Sequence, residues 1–566
     1  MILAILGLLA NCAAEPVEIN PAPPGPPPPR LTWLISDFHM GVGRVQQDPA
    51  TKTWTKGEWH KTEDFRWEAD FSAFMKAVKA DVAQAKMPAD LIILGDFLEL
   101  WQSVINDIER RPSAIKDCDY WKKGDPEYLK NLGCTPGEAL ARAERVLGAH
   151  AQVLKELRDF ANTGDNRVIL VPGNHDAALV FDEVAKVTLD QIAAEPGRVR
   201  VAKEGYWRSP DGVLFAEHGH QMEGDVNKFD KLPASCVDNN ADPVPCDSRE
   251  KEIHLRRPWG EQFVQYYYNQ FEEQFPIIDN ISEETLGIRL GIATAGIGDT
   301  TKALANGLAF FLNQQSWDQF AQALGDKKGV PEWDLEAVKA SGTKFMIDSI
   351  PSSDPLRALV EKAVAEGKIK PSIATLKDSE IKAICDYRFA RVAAADKEGK
   401  LRDVEPCPQK KESLGAAWVA ITSSELGPHR ARLSEIRDGL RKLVPGQEEF
   451  SHYIYAHTHK AHAAKRPFDD TAKWKPEVWN TGAWQRLANP KQIDAIMAHC
   501  KLEARDALSK LQPENLAPCY TAIRYPSLDS PHDKPTLLWW AKPKGATQFK
   551  FFAACPEWTI ECPIQP

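Results

Sequence analysis

The sequence predicts an α/β fold interrupted by a large, mainly helical segment. Short apolar runs alternate with amphipathic stretches as far as residue 221, and several of those runs end in Asp, Asn or His. A strand-rich pattern then returns after residue 450. At 566 residues the chain is too long for one compact core, so more than one structural module is expected.

The elements follow in chain order. Residues 1–12 read as an export signal, because Ile2–Ala10 is unbroken apolar sequence, too short to span a bilayer but suited to a signal core. Leu9-Ala10-Asn11-Cys12 resembles a bacterial lipoprotein signal, which implies a lipid anchor at Cys12. Residues 13–30 form a tether, and its Pro21–Pro29 portion is a stiff polyproline spacer. Residues 31–221 hold the first α/β part. Strands are predicted at Thr32–Ser36, Leu91–Leu94, Val168–Val171 and Val213–Ala216, with helices at Phe71–Ala85 and Glu138–Phe160. Residues 222–450 are read as a helical insertion or lid, with helices at Glu261–Phe275, Thr300–Leu312, Leu356–Glu366 and Ser423–Leu443. Residues 451–566 return to strands, at Tyr453–Ala456, Glu477–Trp479, Tyr520–Arg524, Thr536–Ala541 and Phe549–Ala553.

A hydrophobic content of 43% and a charged content of 27% are ordinary for a globular protein. The net charge of −10 argues against a nucleic-acid binder, which would carry a basic surface. Beyond Cys12, ten cysteines remain, none of them in a CxxC pair. The simplest of many connectivities joins near neighbours: Cys118–Cys134, Cys236–Cys246, Cys385–Cys407, Cys500–Cys519 and Cys555–Cys562. Disulfides in turn-rich sequence point to an oxidising compartment, the periplasm or cell envelope.

Five predicted strands run into metal-binding residue types: Asp37-Phe38-His39, Gly95-Asp96, Gly173-Asn174-His175-Asp176, His218-Gly219-His220 and His457-Thr458-His459. In an open α/β sheet, functional groups gather beyond the carboxyl ends of the strands, so these five segments should converge. Imidazole and carboxylate suit divalent first-row metals, and a carboxylate can bridge two of them. Such an ion pair favours in-line displacement at phosphorus.

This series of five blocks resembles the signature of the calcineurin-like metallophosphoesterases over Leu31 to about Gln221 and Phe450 to about Ala553. Ala456 stands where that family usually has glycine. The resemblance implies a four-layer α/β/β/α sandwich and two divalent metal ions, drawn from Mn, Fe, Zn, Co or Mg. The first would be held by Asp37, His39, Asp96 and His459, and the second by Asp96, Asn174, His218 and His457. It further implies hydrolysis of phosphate mono- or diesters of a small phosphorylated substrate by a metal-bridging hydroxide. His175 would protonate the leaving group, with Asp176 orienting its ring.

His220 is the rival to His218, while His452 and His462 read as packing or surface residues. Glu99 reads either as support for the site or as a plain turn residue. Asn480-Thr481-Gly482-Ala483-Trp484 would support the histidines by hydrogen bonds. That segment and Gly95–Trp101 most resemble the branch with the UDP-2,3-diacylglucosamine hydrolases, which usually carry Arg where this chain has His175, so their substrate is not carried over. Trp54, Trp59, Phe65 and Trp67 are candidates to wall the pocket, as are Phe263, Tyr266, Tyr267, Tyr268 and Phe271 for a lid; core packing is the alternative for each. Two other functions stay open, a phospholipid or nucleotide-sugar pyrophosphate hydrolase and a non-catalytic, metal-containing envelope binding protein.

Overall fold

A computed structural model describes residues 29–102, 136–222, 427–468, 472–502, 509–526 and 534–563, with short stretches between 227 and 407. The leader with Cys12, most of the tether, the Cys118–Cys134 pair, Cys246, the helix predicted at 300–312, Phe263 and Tyr266–Tyr268 lie outside the described residues.

In chain order the strands are β1 (Leu31–Ile35), β2 (Arg44–Gln46), β3 (Lys56–Trp59), β4 (Ala89–Leu94), β5 (Arg167–Val171), β6 (Val199–Val201), β7 (Tyr206–Arg208) and β8 (Leu214–Glu217). Then follow β9 (Cys236–Val237), β10 (Pro243–Val244), β11 (His254–Leu255), β12 (His452–Tyr455), β13 (His462–Lys465), β14 (Glu477–Asn480), β15 (Cys519–Tyr525), β16 (Thr536–Ala541) and β17 (Lys550–Phe552). A seven-stranded sheet has the order β17-β16-β15-β1-β4-β5-β6, and a five-stranded sheet the order β13-β14-β12-β8-β7. In the first sheet β1, β4, β5 and β6 are parallel, while β15 joins β1 antiparallel. In the second sheet β12 lies parallel to both β8 and β14.

Strand alternation sorts the core. Trp33, Ile35, Leu91, Ile93, Val168 and Leu170 face one way, against the helices Glu68–Ala85, Pro136–Ala149, Ala151–Ala161 and Asp182–Ile192. Leu34, Ile92, Leu94, Ile169 and Val171 face the other way and meet Leu214, Ala216, Ile454 and Ala456 of the second sheet. Burial on both faces explains why these strands read as uninterrupted apolar runs. On the far face of the second sheet, Phe215, Tyr453, Tyr455 and Val478 pack with Leu433, Ile436 and Leu440 of the helix Gly427–Leu443. Arg432 of that helix makes a buried, two-pronged ion pair with Glu217, at 2.7 and 2.6 Å, and Tyr453 Oη donates to the same carboxylate at 2.6 Å. The chain is therefore mixed α/β, with a large sheet built around parallel strands.

Two expectations change. The helix predicted over Glu138–Phe160 is two helices parted at His150. Within the helix predicted over Glu261–Phe275, residues 261, 264 and 269–272 are helical, and all the others except Phe275 lie outside the described residues. Cys385–Cys407 forms as the simplest pairing has it, but the C-terminal cysteines cross-pair as Cys500–Cys562 and Cys519–Cys555. The antiparallel meander brings β17 into one sheet with β15 through β16, and Cys555, shortly after β17, meets Cys519. The three disulfides among the described residues suit a non-reducing compartment. Among the described residues, no helix is long and apolar enough to cross a membrane.

At the break, His150 is held between two glutamates. Its buried imidazole lies 3.5 Å from Glu63 and 3.5 Å from Glu68, and Nε2 is 3.2 Å from Gly41 O. Glu63 also accepts from Gly41 N and Phe65 N, so the pair fixes the loop after β1. Burial opposes the imidazolium charge, but Glu63 and then Glu68 outweigh it and push His150 up to about 9. A pKa raised on folding stabilises fully below the ordinary value of 6.5, and that stability is lost as pH rises through about 9. Melting temperatures of wild type and His150→Gln should therefore differ most at pH 6 and converge towards pH 10. Parallel profiles would contradict the assignment.

Candidate metal centre

The site begins with the register of β1 on β4, which sets Ile35 opposite Ile93 and brings the two following loops side by side. Asp37 N donates to Gly95 O at 3.1 Å, and Phe38 N and His39 N both donate to Asp96 O at 2.9 Å. In the second sheet, Ala456 N donates to His218 O at 2.8 Å, pairing the ends of β12 and β8. Asp37, His39, Asp96, His457 and His459 are five of the nine non-glycine residues with positive φ among the described residues. Left-handed backbone at a non-glycine residue costs on the order of 1–3 kcal/mol, so its concentration here marks a functional turn geometry. Gly173 has a steric reason, because a Cβ there would overlap the Asp96 carboxylate.

All seven predicted ligands come together. Asp37, His39 and His459 form one group whose donor atoms lie within 4.8 Å of one another, and Asp96, His218 and His457 form a second. In the first, His39 Nε2 faces His459 Nε2 at 3.2 Å, and His459 Nε2 is 3.3 Å from Asp37 Oδ1. In the second, His218 Nε2 is 3.0 Å from Asp96 Oδ2 and 2.9 Å from Asn174 Oδ1. Asp96 Oδ2 is also 3.6 Å from His39 Nε2, so this carboxylate stands between the groups. Imidazole nitrogens and carboxylate oxygens aimed at common points form a donor set that fits divalent metal ions. His220 is buried behind this array, its ring 5.5 Å from that of His218 and 6.3 Å from that of His457. His218, not His220, belongs to the group of donors that could hold an ion.

Burial works against ionisation of Asp96, yet His218, His175 and His39 hold its pKa well below the ordinary carboxylate value. Asp37 is likewise lowered, with burial opposing and His459 the main favourable partner. Burial pushes His39 down despite its bond to Glu99, leaving the neutral ring that a metal requires.

Glu99 emerges as a central residue. It is fully buried, and its Oε2 meets His39 Nδ1 at 2.8 Å and His175 Nδ1 at 2.5 Å. Its Oε1 accepts from Trp101 N at 2.8 Å and Gln102 N at 3.0 Å. Burial would raise its pKa, but His175 and His39 hold it down to about 2. Trp101 stacks on the His175 ring, with centroids 4.0 Å apart. Asp176 has a different part from the one expected. Its carboxylate accepts from Gly173 N at 2.6 Å and from Phe97 N at 2.8 Å, tying the Asn174 loop to the Asp96 loop. Burial, and then the Asp96 charge, raises Asp176 to about 7. Glu99, then, orients His175.

Neither a protein-family model, a curated protein nor a solved structure matches this chain significantly.

The segment after β14 braces the centre. Asn480 Nδ2 donates to Ala456 O at 3.0 Å and Thr458 Oγ1 at 3.1 Å, holding the His457–His459 turn. Thr481 and Ser36 hydroxyls meet at 2.6 Å, and Trp484 N donates to Ser36 O at 2.9 Å. His452 lies 3.5 Å from Glu477, and His462 bonds Tyr455 Oη at 2.9 Å, both away from the ligand groups. Phe65 and Trp67 are core residues, whereas Trp54 and Trp59 sit under the guanidinium groups of Arg145 and Arg44. A small cavity beside His175 is walled by Leu100, Trp101, Ala177, Phe181 and Leu255. A larger one, about 580 Å³ and lined by Arg44, Trp59, Lys61 and Arg66, contains none of the ligands.

Partners of a ligating histidine's second nitrogen typically change metal affinity about 10–100-fold. Glu99→Gln should weaken zinc binding by that factor in a calorimetric titration, and unchanged affinity would contradict its part in holding His39.

Proposed function

We propose that the chain is a dinuclear-metal phosphoesterase with the four-layer sandwich of the calcineurin-like family, acting on small phosphate mono- or diesters outside the cytoplasm. The observation that carries this reading is Asp96, set between two donor groups with His175 hydrogen-bonded to its carboxylate through the backbone N–H at 2.9 Å. Asp37, His39, Asp96 and His459 would hold one divalent ion, and Asp96, Asn174, His218 and His457 the other. Bound ions supply charge neutralisation at phosphorus and lower the pKa of a water.

The chain's own residues do the rest. Glu99, ionised and fixed by two backbone N–H groups, receives His175 Nδ1–H and favours the imidazolium. That leaves the Nε2 proton for the departing oxygen of the ester. Trp101, flat against the ring, restricts its rotation. Three disulfides support export, with Cys12 as the proposed lipid attachment.

Metal-loaded protein should turn over both phenyl and p-nitrophenyl phosphate esters. His175→Ala should lower kcat by about 10²–10⁴ while metal content stays unchanged. The loss should be larger for phenyl esters, because phenol is the poorer leaving group and needs the proton more. Wild-type protein inert towards both esters would leave a metal-containing binding protein as the better account, and equal losses on the two esters would remove the acid role of His175.

A further inference from the structure

Away from the imidazoles lies a second group of acids. Asp64, Glu272 and Asp279 each offer an oxygen within 4.8 Å of the other two. Asp64 is 2% exposed and Glu272 fully buried, whereas Asp279 is half-buried and opens towards solvent. Three carboxylates at that spacing repel one another strongly unless protons or a cation intervene. Burial and then Asp279 raise the pKa values of Asp64 and Glu272 well above the ordinary range. Arg66 acts on both, but its guanidinium hydrogen-bonds Glu63 O and Glu514.

A cluster of acids alone is not a site, and here carboxamides point to a ligand. Gln102 is only 4% exposed, and its amide is aimed between the carboxylates, with Nε2 3.0 Å from Glu272 Oε2 and 2.8 Å from Asp279 Oδ2. Its Oε1 has no hydrogen-bond partner, and neither has Glu272 Oε1. Asn269, one helical turn before Glu272 and fully buried, has no partner for either end of its carboxamide. Orphaned oxygens at this depth are costly unless something absent from the chain itself satisfies them. Turning the Gln102 amide by about 180° places its oxygen where its nitrogen now sits.

We propose that Asp64, Glu272, Asp279 and Gln102 form a separate cation site that takes calcium. The donors are all oxygen, which selects a hard cation over the metals favoured by the histidine centre. Their number suits the six to eight oxygens that calcium takes, whereas magnesium keeps several waters that a buried cluster would exclude. Asp279 supplies the entry path. The site joins two parts of the chain, since Glu272 and Asp279 belong to the 222–450 segment while Asp64 and Gln102 flank the metal centre. Gln102 N donates to Glu99, so the ion would also brace the residue that holds His39 and His175. The inference does not depend on the phosphoesterase reading.

The test is calcium-dependent thermal unfolding of the full chain, with elemental analysis, for wild type, Glu272→Gln, Asp64→Asn and Asp37→Asn. Calcium at a hundredfold over its Kd should raise the melting temperature of wild type and Asp37→Asn by roughly 3–5 °C. It should leave Glu272→Gln and Asp64→Asn unmoved, with one calcium per chain fewer in each. Without calcium, both variants should melt close to wild type, because each carboxamide is the isostere of a protonated acid. The proposal is overturned if wild type shows no shift, as expected when shared protons neutralise the cluster. It is equally overturned if the shift survives in Glu272→Gln and Asp64→Asn, or disappears only in Asp37→Asn, which would place the calcium at the histidine centre.

Discussion

A carboxylate held at 1% exposure beyond the end of a fully buried strand needs compensation from whatever surrounds it, and Asp96 draws that compensation from three other loops. His175 N–H, His218 Nε2 and, at longer range, His39 Nε2 all approach its two oxygens. The left-handed turns at Asp37, His39, His457 and His459 make sense in this light, because each turns a strand end sharply towards the same point. Local backbone strain of this kind persists only when the surrounding structure over-determines it. Here the determinants are the paired backbones of the Asp37 and Asp96 loops and the bonds from Asn480 to the His457 turn.

The two sheets are the larger device that makes such convergence available. Asp37, Asp96 and Asn174 leave one sheet, while His218 and His457 leave the other, and the apolar layer from Leu34 and Ile92 to Ala216 and Ile454 fixes the distance between them. Changes in that layer would move one set of donors relative to the other. The Arg432–Glu217–Tyr453 group, on the outer side of the second sheet, ties the helix Gly427–Leu443 to the strand that ends at His218. Position of the donors at the candidate metal centre is thus set through packing on both sides of both sheets.

Much of this was legible in the sequence, for physical reasons. Strands buried on both faces leave continuous apolar runs, and chemistry-bearing residues at their ends stand out, so Asp37, Asp96, Asn174, His218 and His457 could be picked out one by one. Block position already favoured His218 over His220, although both follow the same strand, and the coordinates place His218 beside Asp96 and Asn174. Glu99 was hard to value: a single glutamate three residues after Asp96 carries no periodic signal, and its worth lies in meeting two rings from other loops. Asp176 received its orienting role through the family resemblance, whereas the backbone turns its carboxylate to Phe97 N and Gly173 N. The C-terminal cysteines misled because sequence proximity ignores the antiparallel return of β16 and β17. Asp64, Gln102, Glu272 and Asp279 are too far apart in the chain for any local pattern to join them.

The central claim is that one carboxylate serves both donor groups. Zinc content per chain, measured by elemental analysis on zinc-loaded wild type, Asp37→Asn and Asp96→Asn, tests it most directly. The account predicts two zinc ions in wild type, one in Asp37→Asn and none in Asp96→Asn. An Asp96→Asn protein that is folded and still keeps a full zinc ion would show that the two groups do not share this carboxylate.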